Sequence, residues 1–361
     1  MANIYCDLVE HPEIELDFSQ APQTAAVVRL HPKGKVLNTE FIGPYVRNNA
    51  GDIVTVEDRS AWISKDEGRS WQAYPLFKSD EWCAYDNHSL CITQKGTLVL
   101  SFPNIADYHF KWVKAHNKPT KNTRLPICVI RSLDGGQSWE APILIQKGYG
   151  AACSTMIQLQ SGELVMSAQD LDYEQARHFS LTYVSTDDGL TWQPSNKLDI
   201  GGRGHHGGCY EGSLIELNDG RLWLLIRTNQ DWFWHAYSSD KGKTWDTVSP
   251  GIEASSSPGM LTRLNSGRIM LVFNQLYPQG KSEFKRISGQ YSEVEASWFR
   301  EELSVMFSED EGVSWTKPTV LAQCKKAWLA YPYVFEQTDG VIWLTTMQSC
   351  LKIKFKEQEL L

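Results

Sequence analysis

The chain has 361 residues and a formal net charge of −8, with 43 acidic residues against 35 basic ones. That balance argues against a nucleic-acid groove, and no stretch approaches the roughly 20 apolar residues that a membrane-crossing helix needs. Its eight cysteines (Cys6, Cys83, Cys91, Cys128, Cys153, Cys209, Cys324 and Cys350) are scattered without a C-x-x-C pair, which in a chain this long points to buried thiols rather than a disulfide frame or a zinc site.

The first residues, Met1-Ala2-Asn3-Ile4-Tyr5-Cys6-Asp7, show no basic stretch followed by an apolar run, so a cytoplasmic location is expected. From there the chain is periodic. Two β-prone runs flank a glycine turn six times, at Gly34, Gly96, Gly162, Gly220, Gly267 and Gly340, as in Val27-Val28-Arg29-Leu30 before Gly34 and Lys35-Val36-Leu37 after it. This is hairpin chemistry. Each of the first five hairpins is followed by the pattern Ser-x-Asp-x-Gly-x-Ser/Thr-Trp, beginning at Ser64, Ser132, Ser185, Ser238 and Ser308. Within one copy the Asp can accept backbone N–H groups across its own turn, the Gly can take a positive φ, and the Trp can pack under the next strand. Five carboxylates so far apart in the chain cannot share one active site, so the pattern reads as a structural corner. Six inner hairpins predict an all-β, six-bladed β-propeller of four-stranded antiparallel blades, with residues 1–361 as one domain. The stretch 4–18 is expected to close the ring as an outer strand of the sixth blade.

With the corners at the ends of the third strands, chemistry belongs on the opposite face, where loops enter each first strand and leave each second strand. The entering segments carry Asp86 and His88, then His205, His206 and Glu211, then Tyr331 and Tyr333. The leaving segments include 45–48, 107–109, 170–172 and 227–234, the last with Arg227, Trp232 and Trp234. The long loops 102–126 and 274–301 are candidate rims or lids. A carboxylate such as Glu211 at the head of an apolar strand is costly unless paired, and Arg227 is its natural partner. His205 and His206 stand in a glycine-rich loop that no core demands, which suits contact with substrate or movement of a proton. Asp86 with His88 reads as an acid–base pair or as a capped turn. Trp232 and Trp234 read as a sugar-stacking platform or as packed aromatics. No metal-ligand spacing accompanies any of these residues, and no cofactor is implied.

The boxes and the six blades together resemble the sialidase (neuraminidase) superfamily, where the repeated pattern is called the Asp box. The sharper likeness is the stretch from Tyr210-Glu211-Gly212-Ser213 to Leu225-Ile226-Arg227, similar to the sialidase segment in which a Glu opens one strand and an Arg closes the next. The resemblance implies that Glu211 supports a catalytic tyrosine and Arg227 grips a sugar carboxylate. It further implies that Arg300 is another carboxylate-binding arginine and Tyr331 the nucleophile. Sialidases open their first blade with Arg-Ile-Pro, whereas Pro22-Gln23-Thr24-Ala25-Ala26 has no Arg, and the family's general acid has no clear counterpart beyond Asp86 or Asp58. His205-His206 is not part of the sialidase pattern. The expectation is therefore a sialidase-like, exo-acting glycosidase that releases a terminal acidic sugar, sialic or uronic acid, from a glycan. The alternatives are a polysaccharide lyase acting on uronates by β-elimination, with His206 or His88 as base, and a glycan-binding propeller without catalysis.

Overall fold

The computed structural model describes residues 7–17, 26–152, 154–246 and 248–361. The fold class is an all-β propeller of six blades, each of four antiparallel strands, and no α-helix occurs among the described residues. Two compact units can be described. The larger takes in Gly43–Ile252 and Ile287–Ala296; the smaller takes in the described residues up to Ile42 together with Glu253–Arg286 and Ser297–Leu361.

The larger unit holds the first four blades. The first is Val46–Arg47, Ile53–Glu57, Ser60–Ser64 and Gln72–Pro75. The second is Ser89–Ile92, Leu98–Pro103, Ile127–Ser132 and Ile143–Gln146. The third is Met156–Gln158, Leu164–Asp172, Arg177–Ser185 and Gln193–Pro194. The fourth is Cys209–Glu216, Leu222–Thr228, Trp232–Ser238 and Ser249–Glu253. The smaller unit holds the fifth blade, Met260–Arg263, Ile269–Phe273, Glu302–Ser308 and Thr319–Gln323, and the sixth, Pro332–Thr338, Val341–Thr346, Lys352–Lys356 and Lys35–Val36.

Five of the six expected hairpin glycines turn the first strand of a blade into the second, all with positive φ: Gly96, Gly162, Gly220, Gly267 and Gly340. The expectation at Gly34 is corrected. Val28–Leu30 pairs with Thr319–Gln323 on the outer edge of the fifth blade, while Lys35–Val36 pairs with Lys352–Lys356 on the outer edge of the sixth. The turn at Gly34 therefore carries the chain from one blade to the next, and the first blade's inner hairpin turns instead at Gly51 (φ 87°). The segment 45–48, expected to leave the first blade, instead holds its first strand, Val46–Arg47. The N-terminal strand also moves. Val9–His11 adds to Val28–Leu30, on the fifth blade and not the sixth; the rest of that expected strand, 4–6 and Phe18, lies outside the described residues. The physical reason is that both runs around Gly34 find their partners some 300 residues away, a pairing invisible to local pattern.

The boxes fold alike. In the first, Asp66 Oδ1 accepts the Ser64 hydroxyl (2.9 Å) and the Ser70 N–H (2.8 Å), Oδ2 accepts the Ser70 hydroxyl (2.7 Å), and the Gly68 N–H donates to Ser64 Oγ (2.8 Å). Asp134, Asp187, Asp240 and Asp310 repeat the pattern between third and fourth strands. The box tryptophans seal the core. Trp139, Trp192 and Trp245 are buried in the apolar clusters that fill the gaps between consecutive blades of the larger unit. Of the cysteines, Cys6 and Cys153 lie outside the described residues; Cys128, Cys209 and Cys324 are buried and Cys83, Cys91 and Cys350 half-buried, all as thiols.

These features give the chain a graded acid response. Burial pushes His88, His205 and His235 down to about 4, so each binds its proton more readily in the unfolded chain; their contribution is whole above about pH 6.5 and is lost as pH falls toward 4. The Ser70 hydroxyl and N–H hold Asp66 down at about 2, and Ser314 lowers Asp310 in the same way. Below about pH 4 the corners should therefore weaken next. Denaturant midpoints measured from pH 8 to pH 3 should fall in two stages; a flat profile between pH 7 and pH 4 would contradict the buried neutral histidines.

Candidate active site

In the fourth blade the ladder between Cys209–Glu216 and Leu222–Thr228 slips between Tyr210 and Ser213, so Glu211 and Gly212 form a bulge. Glu211 takes φ 50°, in the left-handed region that a side chain normally avoids. The bulge turns its carboxylate onto the Arg227 guanidinium, and Arg227 Nη1 donates to Glu211 Oε2. Arg227 is 1% exposed and Glu211 8%. The Glu211 N–H, displaced from the ladder, donates to Gln169 Oε1 of the third blade (2.8 Å), so that donor is met from the neighbouring blade. Tyr210 lies directly opposite Arg227 in the register, with the guanidinium 4.7 Å from its ring centre.

Around this pair the larger unit gathers three imidazoles. His206 and His178 stand 5.4 and 5.6 Å from the Tyr210 ring, His205 lies 4.8 Å from His206 and 5.4 Å from His178, and Tyr149, Phe110 and Trp112 wall in His205 at 5.5, 4.8 and 5.7 Å. Burial pushes His205 down to about 4 and His178 further below the usual imidazole range, and the Arg227 charge adds to both effects. These two rings are thus neutral at pH 7, able to accept a proton and held apart from their own charge by burial. Asp170 sits beside them. Its Oδ1 accepts the N–H groups of Tyr149 (2.9 Å) and Leu171 (2.8 Å), yet burial outweighs those bonds and raises it above the usual carboxylate range.

The smaller unit carries an arginine cage of its own. Arg300 is 2% exposed; Nη1 donates to Gln348 Oε1 and Nη2 to the Ser256 carbonyl, both at 2.7 Å. The rings of Trp298, Trp328 and Tyr331 surround its guanidinium at 5.0, 5.3 and 5.6 Å. Tyr331 has φ 59° and directly precedes the first strand of the sixth blade, in which Tyr333 is buried opposite Thr345.

The other expected residues fall elsewhere in the larger unit. Asp86 leads into the second blade half-buried, raised by burial and by the charge of Asp58, a residue in the hairpin turn of the first blade. His88 is buried, with Nδ1 3.2 Å from the Tyr85 carbonyl and a tie to the Val56 backbone, a position that braces the first blade against the second. Trp234 packs on the apolar cluster of the fourth blade, whereas Trp232 is exposed. The expected absence of Arg at 22–25 lies outside the described residues, but 40–45, which lead into the first blade, likewise contain none. His178, Gln169 and Tyr149 were not foreseen, whereas Asp170 stands in the segment 170–172 expected to leave a second strand. Only their place at the strand ends that leave or approach the third blade hinted at them.

Residues 90–344 match the BNR repeat-like domain. The chain belongs to the BNR repeat-like family. No curated protein matches the chain in sequence. Among solved structures, this BNR repeat-like protein is similar to an α-L-arabinanase of Penicillium chrysogenum complexed with arabinobiose (12% identity, TM-score 0.62, covering 91% of this chain and 100% of that one). It is similar also to the NanB sialidase of Streptococcus pneumoniae (13%, 0.58, covering 90% and 70%). A third likeness is to the Trypanosoma rangeli sialidase with 2,3-difluorosialic acid as a covalent intermediate (15%, 0.58, covering 89% and 55%). At these identities the likeness is one of fold, a six-bladed β-propeller.

Proposed function

We propose that this chain is a glycoside hydrolase that releases a terminal acidic sugar from a glycan, with Glu211 as its central carboxylate. One observation carries the reading: a buried carboxylate on a left-handed backbone, turned by a bulge onto a buried guanidinium. Stability does not call for this. A buried ion pair is commonly matched or bettered by apolar residues of the same volume, and a non-glycine residue at positive φ is strained, as residues at working sites often are. Of the similar structures, the Trypanosoma rangeli sialidase carries 2,3-difluorosialic acid, an acidic sugar, and the arabinanase carries arabinobiose, a neutral disaccharide. The buried cation Arg227 beside the proposed carboxylate favours the acidic one.

In this mechanism a phenolic nucleophile needs a base, because a phenol near pKa 10 attacks poorly at neutral pH, and the resemblance gives the base role to Glu211. A tyrosine nucleophile also spares an anionic substrate the repulsion of a carboxylate, the known exception among glycosidases. By the resemblance that nucleophile is Tyr331, and within its own unit Arg300 beside the ring would stabilise charge that develops on it. Asp86, raised by burial, is the assigned proton donor to the leaving oxygen. A Tyr331→Phe variant should lose about 10²-fold or more in kcat while keeping its thermal midpoint.

A second reading is favoured by the neutral imidazoles beside Tyr210 and Arg227. On a uronate, a histidine would take the proton α to the carboxylate, Tyr210 would protonate the departing oxygen, and Arg227 would carry the enolate charge. A panel of sialylated, uronate-containing and neutral glycans, with product mass and near-ultraviolet absorbance read together, separates the readings. Hydrolysis adds one water across the cleaved bond and creates no chromophore. Elimination adds none and creates an absorbing double bond. Saturable binding with no product on any acidic glycan would sink both.

A further inference from the structure

Residues 287–296 form a latch seated on the larger unit. Gln290 and Tyr291 both lie in the left-handed region, at φ 47° and 63°, a strain that persists only where surroundings over-determine it. The determinants are visible. The Tyr291 ring stacks on Trp112 at 5.6 Å and 8° between planes. Asn117 Nδ2 donates to the Tyr291 carbonyl and to Glu293 Oε1, both at 3.2 Å, while its Oδ1 accepts the Trp112 indole N–H at 2.9 Å. The Glu293 N–H donates to the Arg203 carbonyl (3.1 Å). At Gly204 any side chain would meet the Tyr291 carbonyl, 1.9 Å from where a Cβ would stand.

This seating brings Gln290 onto both histidines of the glycine-rich loop. Its carbonyl accepts the His206 N–H (3.3 Å), and its Oε1 lies 3.2 Å from His205 Nδ1. An amide oxygen can only accept, so the nitrogen it faces carries the hydrogen. The lone pair then falls on His205 Nε2, a buried nitrogen that makes no hydrogen bond among the described residues. The titratable and charged groups facing the ring from the elements packed on it are His178, His206 and Tyr149, with Arg227 acting through space.

We propose that Gln290 is a positioning residue: the latch holds His205 as its Nδ1-protonated tautomer and so presents Nε2 as the nitrogen able to take a proton during sugar cleavage. The catalytic use of that nitrogen rests on the proposed function; the tautomer does not. The test uses the full chain labelled with 15N-histidine. Unlike turnover, the 15N shifts of His205 report the tautomer whether or not a substrate is known. In the natural protein they should be widely split, with Nδ1 protonated. Gln290→Ala should draw the two shifts together and lower kcat about 10-fold to 100-fold with little change in KM, the scale of losing a residue that orients a working histidine. Gln290→Glu, which can still accept from Nδ1, should restore the split and displace the pH profile of kcat upward. Asn117→Gly removes a tether of the latch without touching His205 and suits the positive φ of that site; it should loosen the same tautomer. Unaltered 15N shifts in both Gln290→Ala and Asn117→Gly would overturn the assignment, and a lost tautomer with unaltered turnover would overturn its role in catalysis.

Discussion

Replacing Glu211 by Gln should lower kcat by about 10²–10⁴-fold, the range for loss of a positioned acid–base group, with KM and the circular dichroism spectrum little changed. The substitution is nearly isosteric. Its amide oxygen can still accept from Arg227 Nη1, and the backbone N–H still reaches Gln169 Oε1. What disappears is the negative charge and the ability to take a proton. If Glu211 were only the structural counter-ion of Arg227, the variant would shift the unfolding midpoint and leave turnover within a few-fold. The two measurements together decide the role: a large kcat loss with modest destabilisation supports catalysis, and the reverse ends it. In the lyase reading the same variant loses less, because a histidine carries the base role, so the size of the kcat effect also bears on the reaction type.

The fold was legible because its signals are local and repeated. Each box is closed by bonds within eight residues, and the glycine turns at Gly96, Gly162, Gly220, Gly267 and Gly340 join strands that are neighbours in the chain. The reading failed where pairing is remote. Val28–Leu30 and Lys35–Val36 look like the two arms of a hairpin, yet Val28–Leu30 extends the outer edge of the fifth blade and Lys35–Val36 supplies the fourth strand of the sixth, each on a strand some 300 residues on. The Glu211–Arg227 pair was legible for the same reason that the boxes were: both residues sit on one hairpin, and a carboxylate beside a glycine at the head of an apolar strand stands out. His178 did not stand out. It lies in a third strand whose other residues are ordinary sheet formers, and it reaches Tyr210 and His205 only because the third and fourth blades are adjacent. Gln290 was invisible for a further reason. It lies in a long polar loop with no period, where nothing in the sequence marks which residue will meet the histidines. His88 beside an aspartate reads as chemistry or as a capped turn, and in the structure its ring ties backbone.

Arg227→Met should be the most destabilising single change at the site, costing about 3–5 kcal/mol at neutral pH, the usual consequence of stranding one partner of a buried pair. Methionine fills much of the space of the aliphatic stem, so little of the loss would come from a cavity. The penalty falls on Glu211, whose carboxylate would stay buried without its cation. The double variant Glu211→Gln with Arg227→Met removes charge from both sides and should recover most of the loss at pH 8. A cycle of urea midpoints would show coupling well beyond the few tenths of a kcal/mol expected of independent sites. Additive losses would mean that the two side chains are not each other's main electrostatic partner. The proposed catalytic carboxylate would then have no cation fixing its position.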